Sequence, residues 1–173
     1  MMNTLLIGPR GCGKSTVGRA LSKRLGHPFV ELDERVLAAF TEGSVREVWS
    51  VHGEAAWREA ESAALVATLA ADEQVIALGG GTPMVAAARQ RIEADREAGR
   101  ARVIYLRCSS EVLAHRLAAA PGDRPSLTGA DLPEEAATVL AAREPIYRGL
   151  ADLECDADRG SPDQIADEIA VVR

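Results

Sequence analysis

Residues 1–16 read MMNTLLIGPRGCGKST. From Gly8 to Thr16 the stretch satisfies GxxxxGK[ST], after a short apolar run and before a helix-compatible segment. Gly8, Gly11 and Gly13 let the backbone turn tightly, so that successive amides face inward. A helix beginning near Lys14 adds its unpaired N–H groups and positive end. Such a loop cradles a nucleotide's phosphates: Gly11, Cys12 and Gly13 line it, Lys14 reaches the β- and γ-phosphates, Ser15 is placed to ligate Mg2+ and Thr16 supports the turn. Glycine-rich strand-to-helix turns also occur without ligands, but the complete motif with both flanking elements favours the phosphate role. Between Gly11 and Gly13, Cys12 reads as a small loop side chain rather than a nucleophile.

Working outward, the chain alternates short apolar runs with longer periodic segments, the pattern of a parallel sheet covered by helices on both faces. Strands are predicted at 3–7, 28–31, 74–78, 102–107 and 152–155. Helices are predicted at 14–25, 33–41, 44–50, 54–71, 83–98, 110–119, 133–147 and 161–172. Ser161 and Ser109 or Ser110 are candidate helix caps, and Gly26 and Gly99 are helix stops. PGDRPSLTGAD at 121–131 has no periodicity and reads as a surface loop.

With 173 residues, 47% of them hydrophobic, one domain spanning 1–173 is expected. Aromatic residues make up 3%, so Ala, Leu and Val supply most of the core and each aromatic raises its own question. A net charge of −6 gives no global attraction to nucleic acid or to an anionic membrane. The arginines between Arg89 and Arg100 are interspersed with acids and read as solvated helix positions. Cys12, Cys108 and Cys155 have no CxxC spacing, which argues against a zinc site and fits a reducing cytoplasm. Neither LLIG nor AALVATLAA at 63–71 is long enough for a signal segment or a membrane span.

The loop alone also fits a GTPase, a motor or an ATP-driven remodeller. No NKxD segment for reading guanine is present, and a compact kinase is the better default. Acceptor chemistry is legible further along. Glu31 and Asp33 fall at the end of the second predicted strand, the edge where open α/β sheets bind ligands. Arg58 can pair bidentately with a planar carboxylate, or form an exposed pair with Glu54 four residues back. Gly79, Gly80 and Gly81 end the third strand, where bare backbone permits either close ligand approach or a plain tight turn.

GPRGCGKST together with ELDERV at 31–36, GEAAWREAE at 53–61, LGGG at 78–81, DRPSL at 123–127 and REPIYR at 143–148 makes the chain resemble a bacterial shikimate kinase over almost its whole length. The resemblance implies an α/β three-layer phosphate-loop kinase fold with a five-stranded parallel sheet in the order 2-3-1-4-5 and a mobile lid at about 119–131. It implies a substrate-binding helical region at about 33–61, a monomer, and transfer from MgATP to the 3-hydroxyl of shikimate. Asp33 matches the residue that hydrogen-bonds the substrate hydroxyls and takes the proton, and Arg124 matches the lid arginine that closes on the transferred phosphoryl. Arg58 and Arg143 match the carboxylate-holding pair, Gly79, Gly80 and Gly81 border the substrate, and Arg116 lies over adenine. Trp49 and Trp57 fall where the family carries phenylalanines walling the substrate ring, while Glu61 positions Arg58. Two departures stand out. Glu31 replaces an aspartate of the metal's water shell, which Asp33 joins through water, and Ser126 follows the lid proline where leucine is commoner. A kinase for another hydroxylated acid such as gluconate, and a nucleotide-binding regulatory module without turnover, remain the alternatives.

Overall fold

The computed structural model describes residues 2–120, 126–127, 129 and 131–172. Its strands are β1 (Asn3–Ile7), β2 (Phe29–Glu31), β3 (Val75–Ala77), β4 (Ala101–Arg107) and β5 (Leu153–Asp156). They form one five-stranded sheet in the order β2-β3-β1-β4-β5, with every neighbouring pair parallel. The helices are α1 (Lys14–Leu25), α2 (Leu32–Leu37), α3 (Val45–Thr68), α4 (Ala86–Glu97), α5 (Ser110–Ala119), α6 (Leu132–Leu150) and α7 (Pro162–Val171), with a short 3-10 turn at Thr82–Met84.

The apolar run of β1 is unbroken because both faces of the sheet are covered. Leu5 and Ile7 belong to the core that holds Trp57, Leu65 and Ile92 from α3 and α4. Leu6, pointing the other way, packs with Val17, Leu21, Leu113 and Ile165 from α1, α5 and α7. Both layers therefore depend on alternate residues of one central strand. Among the described residues no helix is long and apolar enough to cross a membrane.

Local signals set most element ends. Gly26 closes α1 with φ 69°, and Ser161 builds a reciprocal capping box with Gln164. Ser109, not Ser110, caps α5 by accepting from Val112 N–H. The helices expected at 44–50 and 54–71 are continuous apart from one non-helical residue, Gly53 (φ 83°, ψ 165°), which redirects the axis between Trp49 and Arg58. The helix expected at 33–41 stops at Leu37. The one expected at 83–98 divides because Val85 is extended, leaving the 3-10 turn before α4.

Candidate active site

The carboxyl ends of the strands open on one edge of the sheet, and the first link there is the glycine-rich loop. Gly8 has φ 143°, and a Cβ on it would lie 2.7 Å from the Leu106 carbonyl, so the loop closes down on β4 only with hydrogen at this position. Gly13 N-caps α1 in the left-handed region, φ 98°, and aims the first turn of the helix at the concavity. Lys14 Nζ folds back to donate to the carbonyls of Gly8 (2.9 Å) and Pro9 (2.8 Å). The Cys12 thiol is 1% exposed, in the layer of Val17 and Leu113, and accepts from Lys14 Nζ at 3.8 Å. Cys12 thus meets the loop lysine through its thiol as well as fitting beneath the loop.

Three cavities lie in a row along this edge. The central one, about 340 Å3, is lined by Gly13, Lys14, Ser15, Thr16, Glu31, Asp33 and Gly79. On one side it shares Gly11, Gly13 and Thr16 with a second cavity of about 250 Å3, closed by Arg116, Ala157 and Pro162. On the other it shares Arg10 and Gly80 with an apolar cleft bordered by Trp49, Arg58, Leu127 and Arg143.

In the central chamber the Ser15 hydroxyl donates to the Glu31 carboxylate. Glu31 is held above the ordinary glutamate range, chiefly by burial and then by the charge of Asp33, while the Ser15 bond and Lys14 pull the other way. Because the folded chain keeps this proton to higher pH than the unfolded chain, the stability that Glu31 contributes at acid pH is lost as pH rises from the ordinary range through the raised value. Glu31→Gln is therefore expected to raise the melting temperature of the ligand-free protein at pH 7 and to leave it nearly unchanged at pH 4. A lower melting temperature at pH 7 would reject this reading.

Arg58 is fixed from several sides. Nη1 donates to Glu61 Oε2 at 2.8 Å, while Nε and Nη2 donate to Glu54 Oε1 at 3.1 and 2.9 Å. Glu61 is wholly buried and receives the Thr82 hydroxyl at 2.7 Å. The guanidinium carbon also lies 5.6 Å from the Trp49 ring centroid. The pair with Glu54 forms while Arg58 still borders the cleft.

Several expected residues sit elsewhere than the family pattern implies. Trp57 is 0% exposed and stacks on Phe40 with centroids 6.2 Å apart, so it supports the cleft from within the core, and Trp49 is the tryptophan at its surface. A Cβ on Gly81 would come within 2.5 Å of Arg58 Nη1, so this glycine makes room for the guanidinium, whereas Gly79 and Gly80 face the cavities. Arg116 lines the second cavity, held by the Gly11 and Ala157 carbonyls at 3.3 and 3.0 Å. Arg124 lies outside the described residues. Ser126 donates to the buried Glu135 carboxylate at 2.8 Å, so the departure from leucine supplies a polar tie to α6.

Some residues of the site were not singled out by sequence reasoning. Arg10 occupies a variable position of the phosphate motif, and nothing in its spacing marks it. Tyr147, inside REPIYR, is buried, stacks on Tyr105 and donates its hydroxyl to the Gly80 carbonyl at 2.6 Å, which pins the glycine turn from α6. A scarce aromatic in an otherwise recognised motif was the available signal.

The oxygen donors Ser15, Glu31 and Asp33 share one chamber, and a partly desolvated carboxylate there suits a small hard cation. Among the described residues no cluster of three or more His, Cys, Asp or Glu could hold a metal alone.

A phosphate loop at the end of β1, an acidic pair after β2 and a cation-lined cleft beyond them define a phosphate-loop kinase of a small anionic acceptor. A family model described as Shikimate kinase matches residues 10–172. Shikimate kinase 2 of Pectobacterium atrosepticum is 41% identical over 92% of this chain and 89% of its own length, and that of Erwinia tasmaniensis 43% identical over 95% and 91%. The solved structure of a shikimate kinase from Acinetobacter baumannii in complex with shikimate superposes with a TM-score of 0.86 at 29% identity, covering 98% of this chain and 91% of the other. The chain belongs to the shikimate kinase family, and its activity is that of a shikimate kinase, using ATP in aromatic amino-acid biosynthesis.

Proposed function

We propose that the three cavities hold the adenine, the phosphates and shikimate in that order, and that the 3-hydroxyl of shikimate attacks across the Gly80 turn. The observation that carries this reading is that neighbouring cavities share residues: Gly11, Gly13 and Thr16 on the nucleotide side, Arg10 and Gly80 on the acceptor side. Arg58 and Arg143 hold the acceptor's carboxylate, and Asp33 orients the hydroxyl and receives its proton. The hydroxyl oxygen forms a bond to the γ-phosphorus, the bond to the β–γ bridging oxygen breaks with its electron pair left on ADP, and the proton passes to the Asp33 carboxylate. Loop amides and Lys14 stabilise the charge on the transferring group. When bound, Mg2+ neutralises phosphate charge, held by the Ser15 hydroxyl with Glu31 and Asp33 through water. Arg124 belongs to the same proposal as a lid cation. So do a cytoplasmic location, a monomeric state, and the absence of any nucleic-acid or membrane partner.

An acceptor panel tests the assignment: purified protein, ATP or GTP as donor, and shikimate or gluconate as acceptor, read by ADP or GDP release and by product mass. Shikimate 3-phosphate formed from ATP is the expected product. Preference for gluconate, or nucleotide binding without turnover on any acceptor, would overturn the reading.

A further inference from the structure

Arg10 lines the phosphate chamber with Lys14, Ser15 and Asp33, and it lines the acceptor cleft with Arg58 and Arg143. The other residue common to both is Gly80, which has no side chain. Among the described residues, Arg10 is therefore the one side-chain-bearing residue that lines both cavities. Its backbone is fixed there. A Cβ on Gly80 would approach the Arg10 amide nitrogen to 3.3 Å and the Gly8 carbonyl to 3.4 Å, so the loop rests directly on the glycine turn. The Tyr147 hydroxyl holds that turn from the other side.

We propose that Arg10 is a catalytic residue of the transfer step, touching the phosphoryl group as it crosses from donor to acceptor. The proposal rests on the cavity assignment given above. The acceptor's single carboxylate is already served by Arg58 and Arg143, whereas the phosphoryl group carries three non-bridging oxygens and, apart from Arg10, the described residues lining its chamber include one cationic side chain, Lys14. A guanidinium at the passage offers forked donors and a charge that does not titrate. It exchanges no proton in the step: the new O–P bond, the broken bridge bond and the proton on Asp33 balance without it, and Arg10 acts on the charge that the phosphoryl oxygens carry in transit.

Initial rates of Arg10→Met and Arg10→Lys, with shikimate and ATP each varied, test this alongside ATP affinity and melting temperature. For R10M, kcat is expected to fall by about 10²-fold, with the shikimate KM and ATP affinity changed less than about threefold; R10K recovers part of kcat. A rise of about tenfold or more in shikimate KM at unchanged kcat would make Arg10 an acceptor ligand and overturn the proposal. Unchanged kinetics would overturn it too, as would a loss of melting temperature or ATP affinity that R10K does not repair. A wild-type enzyme that makes no shikimate 3-phosphate would instead sink the cavity assignment.

Discussion

Lys14→Met is expected to lower kcat by about 10²- to 10³-fold, the usual consequence of removing a preorganised donor from developing charge. Lys14 stands in the central chamber with Ser15 and Asp33, and its amine is held by the Gly8 and Pro9 carbonyls. Those bonds give the residue a second task, since they tie down the loop it serves. Their loss costs about 2 kcal/mol, a drop of roughly 4–8 °C in melting temperature for a chain of this size. The shikimate KM should stay within about threefold, because Lys14 does not border the acceptor cleft. A mutant with near-normal kcat but much weaker shikimate binding would show that the lysine reads the acceptor instead of the transferring group.

Arg58→Met should act on the other side of the site. Its expected result is a shikimate KM raised about 30-fold or more, corresponding to at least about 2 kcal/mol for a charge-assisted contact in a sheltered cleft. The substitution also strands Glu61, which is 0% exposed and among the described residues keeps only the Thr82 hydroxyl, so stability should fall by about 3 kcal/mol. Pairing it with Glu61→Gln separates the two effects. The double mutant removes the orphaned charge and should regain much of the lost melting temperature while its KM stays high. If KM recovers along with stability, Arg58 is a brace for the fold and not a ligand.

Both substitutions show what was legible in the chain and what was not. Lys14 was readable because a phosphate loop is a contiguous device: spacing, flanking strand and following helix all occur within one stretch of sequence. The sheet was readable for a related reason, as strands buried on both faces carry continuous apolar stretches such as Leu5, Leu6 and Ile7. Departures in the elements arise where neighbours, not local preference, set the boundary. Gly53 bends α3 so that Trp49 meets Arg58, and Val85 interrupts the helix expected after the glycine turn.

By itself the sequence determined the phosphate loop, the parallel α/β sheet and the family, because each rests on residue type and near spacing. Tertiary structure decided which tryptophan borders the cleft, that Gly81 accommodates Arg58, that Tyr147 pins Gly80, and that Arg10 stands between the two chambers. The physical reason is that these facts belong to the strand order β2-β3-β1-β4-β5. It brings α6 and the turn after β3 against a loop more than sixty residues away, and no local pattern encodes who meets whom across that edge.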